Sequence, residues 1–372
     1  MRINVRSPFL INVSTTNLTS AKLELYIYTG TQGVDRSGNL KYTLSSTALN
    51  EEVTFEIAEL VRDYLDITFD GSYTAQMVWV DYQITESIND VVQIPEFFVE
   101  LLGWDGYGYF NDGANPQNDS ELLQSNTLMY KPDDSPIRIP IEGNASKNIT
   151  FFYNNEEIYN GTTSPSSGLS GRIKYISNAG DGIDGFEERV LADGGIFETN
   201  ECIEAFFRNN ILYPVDKIII SGSNTVTTIV DVVSLEECKF TPYKITFVNK
   251  FGVLQDLWFF KRSDVSITTK EQGYKGNILT SDTYSISEHQ NKTLTKQGQE
   301  KISLNSGFVD EQYNEVFRQL MLSEKVWIEY DLQTLPVKVT NNGMQFKQKL
   351  NDKLINYSIE CDFAFDKINS VR

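Results

Sequence analysis

Near its C-terminal end the chain reads "LINYSIECDFAF" (residues 354–365), in which Ile355, Tyr357, Ile359, Cys361, Phe363 and Phe365 alternate with Asn356, Ser358, Glu360 and Asp362. A period of two held over eleven residues cannot lay its apolar side chains on one face of a helix, whose repeat is about 3.6. It dictates a strand with one face in a core, and a one-residue slip would turn that whole face to water.

The same period recurs upstream. "AKLELYIYTG" sets Leu23, Leu25 and Ile27 against Glu24, Tyr26 and Tyr28 and closes on Gly30, the pattern of a half-buried strand. "FEIAELVRDYLD" instead spaces Ile57, Ala58, Val61, Tyr64 and Leu65 at helical intervals, with Glu56 and Glu59 near its start, where a helix dipole favours acid. "YTAQMVWVDYQIT" returns to strand composition, so residues 1–133 read as an antiparallel, sandwich-like domain with one short helix. The turn-rich "KPDDSP" at 131–136 marks a boundary. Beyond it "IRIPI", "NITFFYNN", "SGRIKYISN" and "DKIIISGSNTVTTIVDVVS" have the strand spacing of a second β-sandwich over 134–262. The insertion at 178–202 interrupts that spacing. A third domain, 263–372, begins with a polar stretch poor in aliphatics up to Gln299 and continues with "VDEQYNEVFRQLMLS". That segment places Val309, Tyr313, Val316, Phe317, Leu320 and Met321 on one face of a helix. The final sheet then makes this domain α+β. The expected fold class is therefore mainly β, with tandem antiparallel sandwich domains, a few short helices and an α+β C-terminal domain.

Between the second and third domains lies "ITFVNKFGVLQDLWFFKRS" (245–263), two bulky apolar runs about a short turn. Trp258, Phe259 and Phe260 are consecutive, and consecutive strand residues point to opposite faces, so burying all three requires cover on both sides. One domain supplies one cover; a neighbouring domain or another chain must supply the second. The interface candidates are Phe247, Phe251, Leu257, Trp258, Phe259 and Phe260 of this hairpin with Phe317 and Met321 of the helix, which together are expected to form a hinge.

Composition narrows the chemistry. There are 51 acidic against 32 basic residues spread along the chain, for a net charge of −19. Such a surface repels phosphate backbones, so no nucleic-acid partner is expected. No apolar run approaches the ~20 residues of a membrane-spanning helix, so no membrane partner is expected either. "MRINVRSPFLINVS" lacks the apolar core and cleavage site of a secretory signal, and the three cysteines, Cys202, Cys238 and Cys361, are odd in number and far apart. They read as buried, reduced thiols. The eight Asn-x-Ser/Thr sequons, beginning at Asn12 and Asn17, read as chance in a chain rich in those residues. The single histidine, His289, rules out a multi-histidine metal site within one chain and any triad needing His beyond this solvated loop position. "GDGIDG" lacks the Lys-Ser/Thr ending of a phosphate loop. Asp181, Asp184, Glu187 and Glu188 are hard oxygen ligands without EF-hand order, and read as a solvated acidic loop. No cofactor, no metal and no enzymatic activity are expected.

The phrases "RVLADGGIFETNEC" (189–202), "ITFVNKFGVLQDLWFF" (245–260) and "LINYSIECDFAFDKINSVR" (354–372), with the order of elements, resemble virion structural proteins of tailed bacteriophages, especially tail and baseplate components. The resemblance covers most of the chain, and no functional residue set carries over with it. It implies fibronectin- or immunoglobulin-like sandwich modules, multi-copy assembly in the host cytoplasm, and contacts with other virion proteins. The alternative is a carbohydrate-binding or glycan-cleaving protein that uses the 22 Phe, 19 Tyr and 4 Trp beside a carboxylate pair. A sugar site gathers aromatics in a cleft beside carboxylates, whereas an assembly protein spreads them over contacts with other chains.

Overall fold

The computed structural model describes residues 1–74, 76–117, 120–166, 168–179, 214–222, 227–280, 282–346 and 354–368. The fold is mainly β, with two α-helices among the described residues, Ala58–Arg62 and Tyr313–Leu322. No helix is long and apolar enough to cross a membrane. The chain divides into two compact units. The first comprises Met1–Glu236, Thr246–Leu257 and Gln312–Ser323; the second comprises Glu237–Ile245, Trp258–Glu311 and Glu324–Arg372.

The first unit is built on two large sheets. One runs in the order Arg2–Asn4, Val99–Trp104, Val78–Ile88, Leu18–Tyr28, Leu40–Thr47, with Val91–Val92 paired to Val78–Ile88. A two-stranded sheet of Leu10–Ser14 and Glu52–Glu56 shares a core with it: Ile11, Val13, Val53 and Phe55 join Leu23, Leu25, Ile27, Val78 and Val80 in one buried cluster. The second large sheet runs Glu156–Thr163, Lys147–Tyr153, Lys217–Gly222, Thr227–Leu235, Leu128–Pro132. Ile139, Ile141 and Ile176 of the pair Ile139–Glu142 and Ile173–Ile176 pack into its core. The strand Leu128–Pro132 belongs to this second sheet although it precedes the "KPDDSP" turn, so the change of sheet falls before residue 128, not at 133. Two pairings are parallel, Arg2–Asn4 with Val99–Trp104 and Leu128–Pro132 with Thr227–Leu235, where alternation alone had suggested antiparallel neighbours throughout. Tight hairpins turn through residues of positive φ, Asn89 and Asp90, Asn154 and Asn155, Asp331 and Leu332, the two-residue geometry that matches strand twist.

Leu23, Leu25 and Ile27 are buried as the alternation requires, but Tyr28, assigned to the wet face, is buried too. Its hydroxyl donates to Asp81 Oδ2 at 2.7 Å, and Arg36 Nε reaches the same oxygen at 2.5 Å. The Arg36 guanidinium also binds Glu100 at 2.6 Å and stacks 3.9 Å from the Phe98 ring. Asp81, fully buried, is tolerable only because a cation and a hydroxyl face it.

The second unit carries a seven-stranded sheet in the order Leu254–Phe259, Tyr243–Val248, Val326–Tyr330, Gln333–Val339, Leu354–Phe363, Asn291–Asp310, Lys261–Lys275. The first two strands also contribute Thr246–Leu257 to the first unit. Ile355, Tyr357, Ile359, Cys361 and Phe363 are buried in the expected alternation. Phe365 lies past the end of the strand and is exposed. Val309 is a strand residue paired with Ile355, so the helix begins at Tyr313 and not at 309. The ladder to Leu354–Phe363 holds those residues extended through Asp310.

Candidate assembly surfaces

The hairpin of residues 245–263 turns at 249–253. Asn249 N–H donates to the Val253 carbonyl at 2.9 Å, and Gly252 N–H to the Asn249 carbonyl at 3.0 Å. Gly252 sits at φ +73°, and a Cβ there would lie 2.8 Å from the backbone of Asp105 and Gly106, so only glycine fits. Under the turn runs a relay of buried amides. Asn249 Nδ2 donates to the Leu123 carbonyl (2.8 Å) and to Gln255 Oε1 (2.9 Å), and Gln255 Nε2 donates to Asn126 Oδ1 (2.9 Å). The helix adds a buried amide, Gln319, whose Oε1 accepts from Lys250 N–H at 3.3 Å while its Nε2 donates to Ser125 Oγ and Glu315 Oε1. The turn and the helix therefore meet within the first unit. Apolar patterning is blind to Asn249, Gln255 and Gln319; the only trace in the sequence is amides sitting beside a bulky run where a solvated loop would be expected to carry charge.

Of the eight interface candidates, Phe247, Leu257, Phe259, Phe260 and Phe317 are buried within the chain itself, and Phe251, Trp258 and Met321 are partly exposed. Trp258 faces the Lys244 ammonium, 5.9 Å from its ring, which in turn pairs with Glu329 at 2.7 Å. His289 is exposed. Cys361 is buried, but Cys238 is exposed, a correction to the reading of both as buried thiols. Cys202 and the insertion from residue 180 on, with its acidic residues Asp181, Asp184, Glu187 and Glu188, lie outside the described residues.

One long exposed feature of the second unit showed in the sequence only as a polar stretch. Lys261–Lys275 pairs antiparallel with Asn291–Asp310 and stands at the edge of the sheet. The half of the longer strand from 301 to 310 is backed by Leu354–Phe363. Among the described residues the half from 291 to 296 pairs with Lys261–Lys275, outward of the points where Lys367 N–H donates to the Gly298 carbonyl at 2.8 Å and Ile368 N–H to Gln297 Oε1 at 2.9 Å. What continues outward is a two-stranded arm of about 20 Å, at about 3.4 Å per residue, before its tip. All of Lys261–Lys275 is exposed except the partly covered Ser263. The register shifts between Gln272 and Gly273, whose partners are Thr295 and Thr293. Leu294 is thus the extra residue of a bulge and is exposed. Val265, Ile267, Tyr274, Leu279, Tyr284 and Ile286 are exposed as well, beside a cross-strand polar cluster. In that cluster Glu271 accepts from Thr293 at 2.5 Å and pairs with Lys296 at 3.1 Å, which holds its carboxyl below the ordinary range. The first unit exposes a second apolar segment, with Val91 and Val92 on a short strand and Ile94 and Phe97 in the loop that follows it.

A cavity of about 310 Å³ is lined by Tyr107, Phe251, Arg2 and Lys250, with Asp112 as its carboxylate, 4.0 Å from the Lys250 ammonium. One carboxylate held by a lysine is not the acid–nucleophile pair that glycan cleavage uses. The strongly perturbed hydroxyls of Tyr73 and Tyr109 are pushed up, by burial first and then by Asp256 and Glu315, which accept from them at 2.6 Å. That moves them away from the near-neutral range a general base requires. No protein-family model matches the chain, and no curated protein is detectably similar to it.

Proposed function

We propose that the chain is a structural component of a bacteriophage virion, of the tail or baseplate, which acts as an assembly scaffold through contacts with other virion proteins and not through catalysis. The observation that carries this reading is the arm. A two-stranded ribbon is marginal on its own in water, and one that exposes Tyr274, Leu279, Tyr284 and Leu294 gains most from a neighbouring chain that covers it. The exposed segment of Val91, Val92, Ile94 and Phe97 supports the same reading, since clustered exposed apolar side chains mark contact surfaces. On this reading the two core clusters of the first unit, each shared by a large sheet and a two-stranded one, are two sandwich modules of the fibronectin or immunoglobulin kind. The short phrases shared in style with phage tail proteins supply the choice of particle. Mass spectrometry of gradient-purified, salt-washed virions tests the proposal: the chain is expected in multiple copies per particle, and its absence would refute it.

A further inference from the structure

We infer that Asn342 is a site of spontaneous modification, at which the chain loses a side-chain amide through a cyclic imide and ages into a mixture of aspartate and isoaspartate. The reaction needs no partner but water and does not depend on the proposed role in a virion.

The chain has two Asn-Gly dipeptides, Asn160–Gly161 and Asn342–Gly343, and the fold treats them oppositely. In such a pair the side-chain amide carbon lies one ring closure from the backbone nitrogen of the next residue, and a glycine there has no Cβ to keep the two apart. Closure requires the asparagine to leave extended backbone, because an extended ψ turns the next nitrogen away from its own side chain. Asn160 is held against this. It lies within the strand Glu156–Thr163 and pairs with Thr150, while Gly161 pairs with Ile149.

Asn342 lies past the end of the strand Gln333–Val339, outside the ladder that strand makes with Leu354–Phe363. Asn342 and Gly343 are both exposed. Among the described residues, a Cβ on Gly343 would meet no atom within 4 Å, and nothing hydrogen-bonds the Asn342 side chain. No group there stands in the way of the ring. The residue before it differs: Asn341 Oδ1 accepts the Glu360 N–H at 2.6 Å, and Thr340 N–H donates to the Glu360 carbonyl at 2.9 Å. That clamp fixes Asn341 against the last strand, and Asn342 is the first residue beyond it.

The Gly343 nitrogen gives its proton to hydroxide and attacks Asn342 Cγ. A bond forms between that nitrogen and Cγ, the Cγ–Nδ2 bond breaks, and Nδ2 leaves as ammonia with a proton from water. Water then opens the imide at either carbonyl. Breaking the bond to Cγ restores the ordinary backbone with an aspartate. Breaking the bond to the α-carbonyl carbon leaves a main chain that runs through Cβ and Cγ, an isoaspartate. Both products add a negative charge, and the second lengthens the main chain directly after the clamp on Glu360.

Incubation of the full folded chain at neutral and at alkaline pH, followed by fragmentation mass spectrometry of its peptides, tests this. Conversion at Asn342 is expected to give both products and to run faster at the higher pH, since the attacking nitrogen must lose its proton. Asn160 is expected to convert at least about tenfold more slowly, because its ladder must open first; in denaturant the two sites are expected to converge. Gly343→Ala, for which the fold has room, is expected to slow conversion at Asn342 by at least about tenfold as the methyl group crowds the closure. Far-UV circular dichroism checks that the fold is intact, and Asn342→Gln, expected to abolish the products, reads the same assignment if Gly343→Ala misfolds. An Asn342 that stays an amide while the denatured chain converts overturns the inference. So does conversion at Asn160 that keeps pace with Asn342 in the folded chain, or conversion at Asn342 that ignores Gly343→Ala.

Discussion

The strand Asn291–Asp310 is one element with two environments. From 301 to 305 it has a neighbour on each side, from 308 to 310 it pairs with Leu354–Phe363, and Ile302, Leu304 and Val309 are buried. From 291 to 296 it keeps the same extended backbone with one neighbour, and Thr293, Leu294, Thr295 and Lys296 are exposed. Backbone pairing alone is therefore not what makes a strand part of a core. The buried half is held by side chains removed from water, and the outer half by a ladder of hydrogen bonds for which water competes. Substitutions should divide accordingly.

The harshest test is a charge in the buried half's neighbour. Ile359 pairs with Leu304 and is fully buried. Ile359→Asp should abolish recovery of folded protein, because an unpaired carboxylate there has no partner; folded protein in normal yield would mean that the sheet is not a cooperative core. Next, Leu304→Ala should cost about 3 kcal/mol in denaturant unfolding through the cavity it leaves. A loss under about 1 kcal/mol would place this half with the arm.

A pH effect of intermediate size extends the contrast to the first unit. Burial, then the hydrogen bond to Asp81, pushes the Tyr28 hydroxyl up to about 12 from its ordinary 10.0. A group whose folded value is raised adds stability below pH 10 and loses it as pH rises through about 12. The stability difference between wild type and Tyr28→Phe should therefore be constant below pH 10 and move against the wild type between 10 and 12. A difference flat across that window would show Tyr28 to be solvated. Thiol labelling gives a fourth comparison. Burial, aided by Asp362, pushes Cys361 up to about 12, so in a Cys202→Ser background at pH 8 Cys238 should react promptly and Cys361 only on unfolding. Similar rates at both would break the distinction. At the smallest end, Leu294→Ala and His289→Ala should leave the melting temperature unchanged; a clear drop for either would mean that the arm carries stability of its own.

What the sequence disclosed follows the same division. Alternation identified Leu23, Leu25 and Ile27, and the run from Ile355 to Phe363, because a buried face leaves a periodic mark. It assigned Tyr28 to the wrong face, because a tyrosine facing a buried Asp81 has the same letter as one facing water. It carried Val309 into the helix, because its apolar side chain fits a 3.6 repeat as well as a strand end, and only the ladder to Ile355 decides. The arm was invisible as structure: its two faces are both wet, so nothing periodic remains except β-branched and polar composition. The interface candidates were legible as apolar residues in need of cover on both faces. That Phe259 and Phe317 find their cover within one chain, and that buried amides fasten the hairpin turn, depends on contacts more than fifty residues apart in sequence.

The partition of the chain among its compact units also bears on the order of its synthesis. The first unit takes Phe317 and Gln319 from a helix that follows nearly the whole arm in sequence. A nascent chain released from the ribosome exit tunnel through residue 236 already has both large sheets of that unit, yet lacks the segments that complete it. Its final closure must wait until residue 323 has emerged, while the arm strands are already outside and unpartnered by Leu354–Phe363. For that interval the growing polypeptide presents an open edge on one side and an unfinished core on the other, the kind of exposure that chaperones meet on translating polysomes.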